Sequence, residues 1–124
     1  MIWKNIVMVA LGGSVGAVAR FLSTKYISSF FPQSFHWGTF IVNIVGCFLV
    51  GLFYSFSIRQ SYFTPELRLL LLTGFCGGFT TFSAFTLEGM NLLNEQRVLS
   101  FLLYFAASIL VGLAATFLGY WAGK

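Results

Sequence analysis

The residues that can do chemistry in this chain are polar groups set in apolar stretches. Asn43 stands between Thr39 and Cys47, each four residues apart, with Gly46 beside them. That spacing puts Thr39, Asn43 and Cys47 on one helix face. An amide in an apolar helix is costly unless it is bonded. It can clamp a neighbouring helix, or it can offer its NH₂ donors to an anion. Tyr104, Ser108, Gly112 and Thr116 repeat the four-residue spacing. Their hydroxyls can bond back within their own helix or donate along a shared stripe. Phe82 and Phe85 are three apart, so they share a face. Such rings ordinarily touch lipid or neighbours. A ring edge also carries partial positive charge and favours an anion without adding a formal charge.

Arg20 interrupts an otherwise apolar run. A charge there either snorkels to the interface or faces a cavity or partner. In a water-filled vestibule it would raise the local anion concentration. Glu88 reads as an interfacial carboxylate near the end of its segment. Cys47 and Cys76 lack metal-ligand spacing and read as small buried thiols.

These residues need a membrane to position them. Only 8% of the 124 residues are charged and 58% are hydrophobic, against roughly a quarter charged in a soluble domain. Residues 5–19, 26–58, 69–87 and 98–123 contain no Asp, Glu, Lys or Arg. A spanning helix takes about 20 mostly apolar residues. Spans are expected at about 4–29, 37–58, 66–93 and 97–122, giving an all-α integral membrane protein that is a single transmembrane domain over 1–124. Trp3, Trp37 and Trp121 fall at span ends, where amphipathic rings settle at headgroup depth. Phe31-Pro32-Gln33 separates the first two spans, and Pro65-Glu66 opens the third.

The connections are too short for a water-exposed active site, so no enzyme is expected. The net charge of +4 comes from scattered residues, whereas phosphate binding needs a patch, so nucleic acid is excluded as a partner. Lys4, the following apolar run and Ala17-Val18-Ala19 have the form of a secretory leader. The glycine pattern fits a retained helix better: Gly12 and Gly16 share a face and permit close backbone approach.

Residues 74–83 read Gly-Phe-Cys-Gly-Gly-Phe-Thr-Thr-Phe-Ser, a poor helix sequence. A broken third helix is expected here. Non-helical backbone at membrane depth must be buried in protein or line a cavity, and its freed carbonyls are hard ligands for a small cation. Four spans put Lys4, Arg59, Arg68 and Lys124 on one side and Lys25 and Arg97, with Arg20, on the other. So weak a bias either suffices to orient the chain or lets it insert both ways. In the latter case it can pair with an inverted copy of itself.

The stretches GGSVGAVARF at 12–21, GTFIVNIVGCFLVG at 38–51 and GFCGGFTTFSAF at 74–85 together resemble the Fluc (CrcB) family of fluoride channels, along nearly the whole chain. The resemblance implies a dual-topology homodimer of antiparallel subunits in the inner (plasma) membrane, with lipid around it. It implies two fluoride pathways per dimer and a central structural Na⁺ held by main-chain carbonyls at positions matching Gly77 and Thr80. Asn43, Phe82, Phe85, Ser83, Tyr104, Ser108 and Thr116 are the implied pathway residues, and Arg20 the vestibule arginine. Gly112 and Ala84 depart from the family pattern, where hydroxyl residues are common. Two rival readings stand beside this one. Small multidrug exporters are also four-span dual-topology dimers, but they need an acid in span one. A structural subunit that packs other membrane proteins would suit the small-residue faces.

Overall fold

In a bilayer each backbone polar group must be bonded within its own helix, and the chain obeys that constraint almost throughout. A computed structural model describes residues 2–32 and 35–124. The expected break at Phe31-Pro32-Gln33 therefore extends past the described residues at Gln33. Helix α1 runs Ile2–Ser28 and α2 Trp37–Arg59. The third span comprises α3 Pro65–Arg68, a π-helical segment Leu69–Cys76, α4 Gly77–Phe79 and α5 Ser83–Asn94. Helix α6 is Val98–Ala122. All described elements are helical, and four spans are long and apolar enough to cross a membrane.

Local chemistry sets the boundaries. Thr64 caps α3, its Oγ1 accepting from Leu67 N–H at 3.1 Å, with Pro65 just inside the helix. Lys4 reaches Glu66 at 3.7 Å and ties α1 to the same end of the molecule. Between α5 and α6, Gln96 takes φ 60°, and Arg97 N–H returns to Leu92 O at 2.9 Å. This left-handed closure satisfies the last carbonyls of α5 and lets α6 begin at once.

Glycines then bring the helices together in two parallel pairs. Gly12 and Gly16 of α1 lie against the backbone of Leu70, Phe75 and Phe79, with no room for a Cβ. Gly51 of α2 lies on the carbonyl of Thr116, and Gly119 of α6 on that of Phe48. Backbone contact of this kind supplies the dispersion and close approach that drive helix association in lipid. Phe85, Leu92 and Tyr104 form the buried core between α5 and α6, with Phe35, Phe40, Phe101 and Phe105 around them.

The third span is helical through Phe79. Thr80 then becomes extended, at φ −85° and ψ 158°, and helix resumes at Ser83. The π-helical geometry upstream at Leu69–Cys76 was not expected from the sequence. It falls where Gly12 and Gly16 press on the span.

Candidate functional site

The interruption at Thr80–Phe82 is held by one side chain. Asn43 Nδ2 donates to Thr81 O at 3.0 Å, and Thr81 N–H donates to Asn43 Oδ1 at 2.8 Å. Both non-helical backbone groups of Thr81 are thereby satisfied at membrane depth. The amide is thus a clamp, and it still keeps one N–H of its two. Beside it, Arg20 Nε donates to Gly78 O at 3.1 Å, so α1 also grips α4 just before the interruption.

Asn43 lines an open groove of about 440 Å³ together with Gly77, Thr80, Phe82, Phe85 and Ser108. Cys47 and Cys76 lie in its wall, and among the described residues no charged side chain lines it. Phe82 is 76% exposed, whereas Phe85 is 7% exposed and stacked on Phe105 at 4.1 Å between centroids. The two rings lie 6.1 Å apart, tilted by 44°. Ser108 Oγ is buried without a hydrogen-bond partner among the described residues. An unpaired buried hydroxyl costs about 1–3 kcal/mol, a cost an acceptor in the groove would relieve.

Of the other expected site residues, Arg20, Ser83, Tyr104 and Thr116 lie outside this groove, and Thr80 and Gly77 lie on its wall. Ser83 is exposed, with Oγ 3.5 Å from Thr81 Oγ1. Thr116 donates back to Gly112 O at 3.1 Å and lines a separate apolar groove with Tyr54, Leu113 and Tyr120. The two grooves share Val50 and Leu72, so the α6 stripe passes from one to the other. Thr80 Oγ1 donates to Cys76 O at 2.9 Å. Gly77 is exposed, and a Cβ there would meet nothing within 4 Å. Tyr104 is wholly buried in the core.

Tyr104 leads to a residue that sequence reasoning underrated. Its hydroxyl donates to Glu88 Oε1 at 2.7 Å, and Thr39 Oγ1 donates to Glu88 Oε2 at 2.7 Å. His36 Nδ1 stands 3.7 Å from the same Oε2. Glu88 is therefore a buried-side junction of α2, α5 and α6, not merely an interfacial carboxylate. The signal was its spacing of three from Phe85, which placed it on the inward face. Glu88 also lines a cavity of about 510 Å³ with Arg20, Lys25, Thr39 and Thr81. Two cations and one hydrogen-bonded acid thus surround the space next to the clamped break.

Four helices long and apolar enough to cross a membrane, with an open groove beside an interrupted span, define a multi-pass membrane protein. The family described as "CrcB-like protein, Camphor Resistance (CrcB)" matches residues 7–120, and the chain belongs to that family. A protein of Flavobacterium psychrophilum named fluoride-specific ion channel FluC is 43% identical over 116 residues, covering 94% of each chain. Proteins of the same name from Phocaeicola vulgatus and Aquifex aeolicus are each 42% identical. The first covers 98% of this chain and 99% of its own, the second 94% of each.

Proposed function

We propose that this chain is a subunit of a fluoride-selective passive channel of the bacterial inner membrane, working as an antiparallel homodimer with two pathways. The relatives named above support the ion. The observation that carries the pathway is the uncharged groove with a buried, partnerless Ser108 hydroxyl in its wall. Fluoride is small and holds water tightly, so a pathway must replace that shell. The remaining Asn43 N–H, the Ser108 hydroxyl and the edges of Phe82 and Phe85 are donors of the right sign. Thr116 in the adjoining groove and the exposed Ser83 extend the path, while the Tyr104 hydroxyl is committed to Glu88. A narrow passage between the two phenylalanines rejects the larger chloride ion.

The open groove and exposed Phe82 suit closure by a second copy. Inversion of that copy suits the near balance of basic residues at the two ends. Arg20 and Lys25 supply positive potential to the flanking cavity. Export then needs only the electrochemical gradient: HF enters uncharged, dissociates inside, and leaves as the anion.

The Na⁺ of this reading would rest on neutral oxygens at Gly77 and Thr80. These residues fit the ion: Gly77 is open on its outer side, and the extended Thr80 turns its carbonyl away from the helix axis. Na⁺ would supply a fixed charge pinning the two interrupted spans together.

One observation favours the exporter-type alternative, namely Glu88, an acid held between α2, α5 and α6. Both of its oxygens accept hydroxyl bonds. That suits a fixed acceptor better than a proton carrier. Fluoride efflux from liposomes carrying Asn43→Ala or Phe82→Ile tests the pathway. Loss of flux or selectivity is expected, and unchanged behaviour in both variants removes these residues from it. Flux driven by a pH gradient at constant voltage would instead favour coupled exchange.

A further inference from the structure

Two cations converge on one aromatic ring where α2 and α6 finish. Arg59 Cζ lies 5.4 Å from the centre of the Tyr120 ring, and Lys124 Nζ lies 5.5 Å from it. The placement is built into the helix ends. Arg59 Nε donates to Ser55 Oγ at 3.0 Å. A Cβ on Gly123 would stand 2.7 Å from Ser55 Cβ, so the two chain segments abut there. Lys124 follows directly, so its ammonium reaches the same ring as Arg59.

Among the described residues neither cation has an acidic side chain as an ion-pair partner. The chain has three acidic residues. Glu66 faces Lys4, Glu88 is bonded to Thr39 and Tyr104, and Glu95 faces Arg97. Among the described residues no ion pair involves Arg59 or Lys124. A ring face attracts an exposed cation through its quadrupole. It does not neutralise two like charges, so the pair sets up a field that attracts anions.

Tyr120 connects this pair to the interior. It lines the groove that holds Thr116. That groove adjoins the one holding Asn43 and Ser108 through Val50 and Leu72. The cations therefore stand at the head of the hydroxyl stripe of α6, at the opposite end of the molecule from Arg20 and Lys25.

We propose that Arg59 and Lys124, held over Tyr120, form an anion-collecting mouth that raises fluoride concentration at the terminal end of the pathway. The proposal rests on the fluoride-channel reading above. The two cations act through their field, so their effect depends on screening. The Debye length shrinks from about 30 Å at 0.01 M salt to about 3 Å at 1 M.

The experiment compares fluoride flux through reconstituted full-length protein and the Arg59→Gln/Lys124→Gln variant, with ionic strength set by an impermeant salt. The variant is expected to lose about threefold in flux near 0.01 M and to match the parent near 1 M. The charge-preserving Arg59→Lys/Lys124→Arg variant should keep parental flux at both strengths. Equal flux at low ionic strength would overturn the proposal. So would a loss of the same size at both strengths, which would mark a packing role. A loss seen only in liposomes containing anionic lipid would assign the pair to headgroups and overturn it too. If the unaltered protein passes no fluoride, the channel reading falls and this proposal with it. If the parent conducts and the variant conducts equally, only the mouth is lost.

Discussion

Asn43 and Thr81 exchange two hydrogen bonds, side-chain amide to backbone, across 38 residues of sequence. One residue thereby both secures the interrupted span and lines the groove. Asn43→Ala would strand the Thr81 N–H and C=O at membrane depth, at about 1–3 kcal/mol for each group. A lower unfolding temperature in detergent is expected, together with lost fluoride flux. Asn43→Asp keeps an acceptor for the Thr81 N–H but brings a carboxylate oxygen against Thr81 O. It should therefore not restore stability. Thermal unfolding of both variants checks this.

Phe82 and Phe85 should separate under mutation. Phe82 is largely exposed in the subunit, so Phe82→Ile should change subunit stability by under about 0.5 kcal/mol while impairing fluoride flux. Phe85 is stacked on Phe105 and sits 5.1 Å from Tyr104. Phe85→Ala should cost about 3–5 kcal/mol. Equal losses of stability would contradict the division of roles, as read by denaturation in matched micelles.

Gly16 and Gly77 make opposite predictions from the same substitution. An alanine at Gly16 would press its Cβ into the Phe75 carbonyl and to 2.9 Å from Phe79 N. Backbone cannot yield there as a side chain can, and about 1–3 kcal/mol of destabilisation is expected. Gly77→Ala meets open space and should leave the subunit folded. The yield of monodisperse protein on gel filtration distinguishes the two.

Tyr104→Phe deletes the donor to Glu88 Oε1. The carboxylate keeps only Thr39 and the neighbouring His36, so about 1–3 kcal/mol should be lost. If Glu88 is a fixed acceptor, fluoride flux in this variant should fall with no new dependence on a pH gradient. A gradient-driven flux in either protein would support the exporter-type reading.

Replacing Na⁺ by a bulky organic cation tests the proposed pin. Flux and dimer should both decline, and Na⁺ should restore them. A dimer that persists with full activity in Na⁺-free buffer would remove the ion from the account.

The four membrane-length helices were legible because the bilayer forbids charge over a fixed thickness, which leaves a mark on every residue of residues 26–58 or 98–123. The glycine contacts of α1 were legible because Gly12 and Gly16 repeat at one helical turn. Much of the site was not. Thr39 and Tyr104 lie 49 and 16 residues from the Glu88 they bond, and no local pattern records such a meeting. Residues 69–76 are Leu-Leu-Leu-Leu-Thr-Gly-Phe-Cys, as suited to α as to π hydrogen bonding. Thr116 had two available acceptors in principle, and its own helix supplied the one it uses. Asn43 had likewise been open between clamp and donor, and only tertiary contact brought Thr81 within its reach.

The most direct measurement uses purified protein in liposomes loaded with potassium fluoride or potassium chloride, with valinomycin added to release the counter-charge. The account predicts prompt fluoride efflux from the first and chloride retention in the second. Retained fluoride, or chloride leaving as fast as fluoride, would contradict it.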